Sequence, residues 1–372
     1  MPSVLAAARD PGGAEALLPV LEALSKGGNG VTAVAQEPAY GRFSGSGIAS
    51  SRIEGRWPEL VRHAEGTIRE ATPDVVVLAT SMGPGIEVAI LRAARARRVP
   101  VVVVLDSWTN YTTRFLAPNE PRLGPEALPD LLTVMDEFAA AELESEGFTP
   151  SILRVVGQPA FDAWVVRSRS DDWQRERQRV RDALDVPSGD SLIVFFSQPI
   201  ADLYGPRGSP AYRGYDERDA LGALLDAMPA IGARTRLVVK PHPSENAGAF
   251  AWLQPHAGSR VRVVTSMSAE ELTAASDLVA SMTSTTLVQA MLVGRPTISV
   301  QPHLKVPDAL ILGRMGLLEP VTDPGALAGA IRTRLTESGD ATVSRLPLWW
   351  RDGGATQRVS DLVSGLTASA DK

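Results

Sequence analysis

The 372-residue sequence predicts an α/β protein that contains two doubly wound parallel-sheet domains. Three observations support this fold class. Short β-branched segments alternate with helical patterns along most of the chain, which is typical of parallel strands joined by helical crossovers. The strand segments are almost continuously apolar, as in sheets that are covered on both faces. The length exceeds that of one ordinary core and favours two domains.

The first domain is expected at residues 1–165. Its first helix, within residues 14–28, places four leucine and valine side chains on one face and ends at a Gly-Gly pair. A second amphipathic helix is expected at residues 85–98. Six strands are predicted, at residues 3–8, 31–35, 74–79, 99–105, 131–135 and 153–156.

The second domain, residues 191–345, repeats this scheme. Residues 166–190 before it are dense in charge and are interpreted as a solvated linker helix. Residues 346–372 end in a helical pattern, which is expected to dock on one of the domains. The predicted strands are 191–196, 236–240, 261–265, 277–281 and 296–300, and helices are expected at about 216–228, 284–293 and 324–336.

Composition excludes several classes of function. The formal net charge of −6 gives no general attraction to nucleic acid or to an anionic membrane, so local groups must hold any anionic ligand. The absence of cysteine excludes disulfides and thiolate metal sites. The N-terminal residues lack a signal-peptide pattern, and the longest apolar runs are too short for a transmembrane segment. A cytoplasmic location is expected.

Ligands of parallel α/β sheets bind where strands end in loops that lead into helices. After the first strand, Asp10 precedes Gly12 and Gly13, which permit close backbone approach at a helix N-terminus. A plain Asp-Pro-Gly turn explains these residues equally well. The segment does not match the G-x-G-x-x-G dinucleotide fingerprint, so a dinucleotide site has little support.

The loop after the strand at 99–105 begins with Asp106. A carboxylate at this place can take a proton from a bound hydroxyl or amine, although an aspartate cap is also common there. Trp108, Asn110, Tyr111 and Arg114 follow in the same loop. Such a concentration of polar and aromatic groups favours a functional loop.

The stretch KPHPSEN, residues 240–246, is either an anion site or a stiff turn with a surface histidine. Prolines on both sides of His242 fix the backbone around it. Lys240 and His242 can both donate to phosphate oxygens, and Ser244 or Asn246 can add hydrogen bonds. The combination favours the anion site.

A run of four hydroxyl residues follows the strand predicted at 277–281 and precedes a helical pattern. One hydroxyl suffices to cap a helix, so a run of four favours binding of a phosphate at the helix N-terminus. The four residues are Thr283, Ser284, Thr285 and Thr286.

The histidines show no metal-ligand spacing, and no metal site is expected. His63, His242, His256 and His303 are scattered, without an H-x-x-x-H or H-E-x-x-H pair. The sequence also lacks a Walker A loop, a G-x-S-x-G elbow and a kinase signature.

On these segments the chain resembles the GT-B superfamily, which includes nucleotide-sugar glycosyltransferases and the similarly folded non-hydrolysing UDP-N-acetylglucosamine 2-epimerases. RDPGGAEALLPVLEAL is similar to the first loop and helix of the epimerases, and LRVVGQPAFDAW is similar to the segment that ends their N-terminal domain. VVKPHPSEN is similar to the HP motif shared by bacterial sialyltransferases, polysialyltransferases and glycerophosphate transferases. SDLVASMTSTTLVQAMLVGRPTISV is similar to the donor-phosphate segment.

The resemblance implies two Rossmann-like domains facing a cleft, with the nucleotide donor on the C-terminal domain and the acceptor on the N-terminal domain. It implies that His242 contacts the donor phosphate and that the hydroxyl run at 283–285 binds the same group. Ser197 and Gln198, within FFSQP, are implied to line the cleft near the hinge.

Two departures from the epimerases favour a transferase of the HP-motif type. The epimerase pattern HRREN is replaced by SQPIADLYG, and SGG is replaced by TSTT. The resemblance, with these departures, therefore implies a metal-independent glycosyltransferase without a cofactor, which uses a UDP- or CMP-linked sugar as co-substrate and a small-molecule or glycan acceptor. Asp106 is the first candidate for the catalytic base and Asp10 the second.

Two alternatives stay open: a nucleotide-sugar 2-epimerase or hydrolase on the same fold, and a non-catalytic nucleotide-sugar binder. A monomer or homodimer is expected, with no nucleic-acid partner.

Overall fold

A computed structural model of the chain describes residues 1–256 and 260–370 and confirms an α/β fold with two parallel sheets. The chain divides into two compact units. Unit 1 consists of Met1–Ala163 and the segment from Pro347 onward, and unit 2 consists of Trp164–Leu346. Within the described ranges, no helix is both long and apolar enough to cross a membrane.

Unit 1 is built on a seven-stranded parallel sheet with the order β3-β2-β1-β4-β5-β6-β7. Its central strands β4 and β5 consist almost entirely of buried valines, as expected for a sheet covered on both faces. The strands are β1 (Ser3–Ala8), β2 (Gly30–Ala35), β3 (Ala49–Arg52), β4 (Val75–Leu78), β5 (Val101–Val104), β6 (Leu131–Val134) and β7 (Leu153–Val155).

The helices of unit 1 cover this sheet, and the last two come from the C-terminal segment. They are α1 (Pro11–Lys26), α2 (Ala39–Ser44), α3 (Trp57–Ala71), α4 (Ile86–Ala96), α5 (Glu137–Ser145), α6 (Pro159–Ser168), α15 (Leu348–Arg351) and α16 (Ala355–Ala370). The boundary between the two units lies within α6, after Ala163.

The C-terminal segment is part of the core of unit 1. Val359 and Val363 of α16 are fully buried in the same cluster as the apolar face of α1. Asp136, the N-cap of α5, accepts the indole N–H of Trp350 at 2.9 Å and that of Trp108 at 2.7 Å. The carboxylate therefore ties the chain end to the loop that follows β5.

Unit 2 is built on a five-stranded parallel sheet with the order β10-β9-β8-β11-β12. Its core comprises the inner residues of these strands and the apolar face of the long helix α9, Glu217–Ile231. The strands are β8 (Ser191–Phe196), β9 (Thr235–Lys240), β10 (Val261–Val263), β11 (Leu278–Ser281) and β12 (Thr297–Ser299).

The helices of unit 2 alternate with these strands. They are α7 (Asp171–Ala183), α8 (Ile200–Tyr204), α9 (Glu217–Ile231), α10 (Ala269–Ala275), α11 (Thr286–Leu292), α12 (Ile311–Arg314), α13 (Leu327–Leu335) and α14 (Gly339–Ser344), and a 3-10 helix spans Ala247–His256.

The charged segment interpreted as a linker helix forms the end of α6 and the whole of α7. Trp173 and Val180 of α7 are buried, with exposed fractions of 2% and 0%. On its polar face, Arg177 and Arg181 both bind the carboxylate of Asp277, at 2.5 and 3.0 Å. α7 is thus a helix that packs in unit 2, and most of its charged side chains form ion pairs. The apolar part of an arginine side chain can be buried while its guanidinium group binds a carboxylate.

Candidate functional site

The strand order of unit 2 brings three of its loops together. β9 and β11 lie on either side of β8, so their carboxyl ends meet at one edge of the sheet. Ser197 and Gln198 follow β8, His242 follows β9, and Thr283 follows β11. These sequence-predicted site residues therefore lie on adjacent loops, at the edge where parallel sheets bind ligands.

The hydrogen bonds around His242 select one tautomer of its exposed ring. Nδ1 accepts the backbone N–H of Ser244 at 3.2 Å, and the Ser244 hydroxyl oxygen lies 2.8 Å from the same atom. A backbone N–H can only donate, so Nδ1 is the acceptor nitrogen of the neutral ring and Nε2 carries the proton. In the described part of the chain no group accepts from Nε2, which leaves a donor for an anionic oxygen.

Glu245 binds both the His242 turn and the loop after β8. Its Oε2 accepts the backbone N–H of His242 at 2.7 Å, and its Oε1 accepts the Ser197 hydroxyl at 2.9 Å. Burial raises the pKa of the Glu245 carboxyl above its usual range. The sequence analysis missed this residue. The available signal was its place in HPSE, three residues after His242. Both neighbours of His242 are prolines without an N–H, so the His242 N–H is the one backbone donor of residues 241–243 and a nearby carboxylate can accept it.

Gln198 binds the first residue of the hydroxyl run. The backbone N–H of Thr283 donates to Oε1 of Gln198 at 2.8 Å. Because only the amide oxygen can accept this bond, Nε2 is turned away from Thr283. Among residues 1–256 and 260–370 nothing accepts from Nε2 of Gln198.

The four hydroxyls have different local roles. Ser284 Oγ accepts the backbone N–H of Thr286 at 3.1 Å and lies 2.7 Å from the Thr286 hydroxyl, so these two residues hold the start of α11. Thr283 Oγ1 is 3.4 Å from the Gln198 amide oxygen. Thr285 is exposed, and its hydroxyl has no hydrogen-bond partner in the described ranges.

Lys240 and Asn246, which the sequence analysis assigned to the anion site, make contacts within the protein. Lys240 Nζ donates to the carbonyl of Thr265 at 2.7 Å, and burial lowers the pKa of this ammonium group. The side chain of Asn246 accepts the backbone N–H of Gly248 at 2.8 Å and thereby turns the chain. Lys240 and Asn246 therefore each have a contact within unit 2, and the Lys240 ammonium keeps further N–H groups beyond the one that Thr265 accepts.

Asp106 lies in unit 1, where β5 ends beside β4. Its Oδ1 accepts the hydroxyl of Thr80 at 2.5 Å and Nη1 of Arg114 at 3.0 Å. The Asp106 side chain is 11% exposed and that of Arg114 6% exposed. Burial raises the pKa of the Asp106 carboxyl, while Arg114 and Thr80 act in the opposite direction. Oδ2 faces Gly12, where a Cβ would lie 3.0 Å from it.

Asp10 lies at the same edge of the sheet, and its charge contributes to the raised pKa of Asp106. Its Oδ1 pairs with Arg9 Nε at 3.2 Å and its Oδ2 accepts the backbone N–H of Met82 at 3.2 Å. The Asp10 backbone N–H donates to Ser81 Oγ at 3.2 Å. The structure therefore brings the two candidate bases together, but Oδ1 of Asp10 is bound to Arg9 and Oδ2 to the loop after β4.

Glu87, in the first turn of α4, is a buried carboxylate that the sequence analysis missed. It is 4% exposed, and its Oε1 accepts the backbone N–H of Arg9 at 2.8 Å and the hydroxyl of Ser81. Oε2 is buried and has no partner in the described residues. Burial raises the pKa of this carboxyl. A glutamate in the first turn of an amphipathic helix normally faces solvent, so the sequence carried no signal.

Gly13 is required where α1 meets the end of β4. A Cβ on this residue would lie 2.7 Å from the Cβ of Ala79 and 2.9 Å from the carbonyl oxygen of Thr80. The glycine therefore lets the start of α1 approach the strand end that also carries the Thr80 hydroxyl.

The aromatic residues of the loop after β5 anchor it in the protein. Trp108 is 4% exposed and Tyr111 is 2% exposed, and the Tyr111 hydroxyl donates to Glu142 at 2.7 Å. Asn110 adopts a φ of 58°, a left-handed conformation that asparagine tolerates well. Arg114, in the same loop, forms the ion pair with Asp106.

Within the described ranges, no three His, Asp or Glu side chains are grouped as metal ligands. His63 belongs to unit 1, and His242 and His303 belong to unit 2, while the side chain of His256 lies outside the described part of the structure.

Comparison with known proteins identifies the fold. No protein-family model and no curated protein matches the sequence. Among solved structures, a UDP-GlcNAc 2-epimerase from Neisseria meningitidis bound to UDP-GlcNAc is similar, with a TM-score of 0.72 at 14% identity over 98% of this chain and 100% of that chain.

Two other similar structures extend this comparison. A glycosyltransferase from Rickettsia africae has a TM-score of 0.68 at 11% identity and covers 98% of each chain. HepE from Anabaena in complex with UDP has a TM-score of 0.63 at 14% identity, over 98% of this chain and 100% of that chain. The protein has the GT-B fold, as the sequence resemblance implied.

Proposed function

We propose that the protein is a glycosyltransferase that transfers a sugar from a UDP- or CMP-linked donor to a small-molecule or glycan acceptor. The observation that carries this proposal is the His242 turn, which fixes Nε2 as a donor at the carboxyl edge of the unit 2 sheet. Gln198 and Thr285 supply further donors on the adjacent loops. Together these groups suit the oxygens of a nucleotide phosphate.

In this proposal, unit 2 stabilises the leaving group. When the bond between the sugar and the phosphate breaks, the electron pair moves to the phosphate oxygen. Preorganised hydrogen-bond donors stabilise such developing charge because they need no reorganisation during the reaction. His242 Nε2 is the principal donor in this scheme, and the scheme needs no metal ion.

Asp106 is the proposed base in unit 1. In the inverting form of the mechanism, the acceptor hydroxyl transfers its proton to Asp106 while its oxygen attacks the anomeric carbon. Thr80 and Arg114 both donate to Oδ1, so Oδ2 is the proposed acceptor of the proton. Asp10 is less suited because each of its oxygens is bound to the loop after β4 or to Arg9.

A nucleotide-sugar 2-epimerase is the second candidate, since the N. meningitidis epimerase is among the similar structures. The absence of the HRREN and SGG patterns from this sequence favours the transferase. An epimerase or a hydrolase acts without an acceptor, whereas a transferase needs one.

Product analysis tests the proposal. UDP- and CMP-sugars are incubated with the protein, with and without a panel of small-molecule and glycan acceptors, and the products are identified by mass spectrometry and NMR. We expect donor consumption only with an acceptor, together with a glycosylated product. An isomeric nucleotide sugar formed without acceptor indicates an epimerase, and free sugar with free nucleotide indicates a hydrolase. Binding without turnover in any mixture indicates a non-catalytic binder.

A further inference from the structure

The role of Glu245 goes beyond closing a turn. The turn from His242 to Glu245 is already closed by a backbone bond, in which the N–H of Glu245 donates to the carbonyl of His242 at 2.9 Å. The side chain of Glu245 then accepts the single backbone donor between Pro241 and Pro243, the N–H of His242, at 2.7 Å. Backbone and side chain of one residue thus hold both polar backbone groups of His242.

The second oxygen of Glu245 connects this turn to the neighbouring strand. Ser197 follows β8, and its hydroxyl donates to Oε1 at 2.9 Å, while its backbone N–H donates to the carbonyl of Lys240 at the end of β9. Because its proton is directed at Glu245, the Ser197 hydroxyl donates to the protein and not to a ligand. Ser197, which the resemblance implied to line the cleft near the hinge, therefore has a positioning contact.

We propose that Glu245 is a positioning residue for the imidazole of His242. Its carboxylate binds the backbone N–H of His242, is itself anchored by the Ser197 hydroxyl, and so keeps the imidazole at the donor-phosphate position. This inference rests on the proposed function, since it assigns a phosphate contact to His242. The carboxylate acts through His242 and does not touch the substrate. Its effect on nucleotide binding is consequently expected to vanish when the imidazole is absent.

A double-variant cycle tests this dependence. UDP, with CMP in parallel, is titrated calorimetrically into wild type, Glu245→Ala, His242→Ala and the double variant. We expect Glu245→Ala alone to weaken nucleotide binding about tenfold, the loss of roughly one well-aligned hydrogen bond. In the His242→Ala background the same change is expected to have no further effect, since residues that act as a unit are not additive.

Glu245→Gln separates position from charge. The amide oxygen can accept the His242 N–H, and the amide N–H can donate to the Ser197 hydroxyl, so both contacts persist without the negative charge. We expect this variant to bind the nucleotide like wild type. If Glu245→Gln is as defective as Glu245→Ala, the carboxylate charge is what matters and the positioning role is wrong.

Glu337→Ala provides the matched control for loss of a bridging carboxylate in unit 2. Glu337 joins Arg334 and Arg345 through its two oxygens, each at 2.6 Å, in the region of α13 and α14. We expect its loss to affect stability and leave nucleotide affinity unchanged. Circular dichroism on every variant identifies any that fails to fold.

If Glu245→Ala fails to fold, Glu245→Gln and Ser197→Ala test the inference instead. Ser197→Ala removes one contact of Glu245, and we expect it to weaken nucleotide binding in the wild-type background but not in the His242→Ala background.

The outcomes distinguish this inference from the proposed function. If wild type binds neither nucleotide, or His242→Ala binds like wild type, the proposed function fails and the inference fails with it. If His242→Ala loses affinity while Glu245→Ala does not, the positioning role alone is wrong. If the two losses multiply in the double variant, Glu245 acts independently of His242 and the inference is also overturned.

Discussion

The backbone N–H of Thr283 donates to Oε1 of Gln198 over 2.8 Å, which joins the loop after β11 to the loop after β8. Glu245 joins that second loop to the turn after β9. Three adjacent loops of unit 2 therefore form one hydrogen-bonded network. Within the described residues, the network leaves Nε2 of Gln198 and Nε2 of His242 as donors without a protein acceptor.

Gln198→Glu tests whether this edge donates to an anion. A glutamate can still accept the Thr283 N–H, but it removes the amide donor and adds a negative charge. We expect UDP affinity to fall at least about tenfold, or about 1.4 kcal/mol, in calorimetric titrations. Gln289→Glu, on α11 of the same unit, is the control for the added charge. Equal binding by wild type and Gln198→Glu would exclude a phosphate contact at Gln198.

Asp106→Asn tests the base in unit 1. A general base contributes about a hundredfold or more to turnover, so we expect a loss of that size with nucleotide affinity unchanged. Because burial raises the pKa of Asp106, the acid limb of the wild-type pH profile of kcat/KM should lie above the ordinary aspartate range. Asp10→Asn should cost less turnover. A greater loss in Asp10→Asn than in Asp106→Asn would reverse the assignment.

Gly13→Ala tests the close approach of α1 to the end of β4. The added Cβ would meet Ala79 and Thr80 at less than 3.0 Å, so we expect a loss of about 1 to 3 kcal/mol in unfolding free energy. Gly66→Ala, on α3, meets only the flexible end of Arg69 at 3.8 Å and should be neutral or stabilising. Urea denaturation followed by circular dichroism measures both. Equal stability of the two variants would mean that unit 1 relaxes around position 13 without cost.

Glu87→Gln tests the cost of the buried carboxylate. Its folded-state pKa is raised, so the folded protein retains the proton where the unfolded chain has lost it. The contribution of Glu87 to stability is therefore complete below the usual glutamate pKa and is lost as pH rises through the folded-state value. We expect wild type and Glu87→Gln to have similar Tm values near pH 4, with the variant increasingly more stable towards pH 8. A constant Tm difference across this range would show that Glu87 has an ordinary pKa.

Much of the fold could be predicted because its signals are local. The strands of valine and leucine in both units form where the apolar runs predicted them, and their ends differ from the predicted ends by at most two residues. The strand Ala49–Arg52 was missed, since an edge strand that is partly exposed needs no apolar run. The packing of α7 could not be predicted either, because the partners of its arginines, such as Asp277, are about a hundred residues away in sequence.

The places of the candidate site residues could be predicted more readily than their contacts. His242 and Thr283 lie after apolar strands, as the sequence indicated, and their role in binding stays a prediction. The engagement of Lys240 with Thr265 and the bridge from Glu245 to Ser197 depend on which strands are adjacent. Strand order in a parallel sheet is set by crossovers and tertiary packing, so these pairings were not visible in the chain order alone.

The central claim, that His242 and its neighbouring loops bind a donor phosphate, is tested most directly by one titration series. UDP, CMP, CDP, GDP and TDP are titrated into wild type and His242→Ala, and Tm is followed in parallel because a bound nucleotide stabilises the folded state by mass action. We predict that at least one nucleotide binds wild type and raises its Tm, and that His242→Ala weakens that binding about ten- to a hundredfold while remaining folded. Absence of binding by all five nucleotides, or equal affinity of wild type and His242→Ala, would contradict the claim.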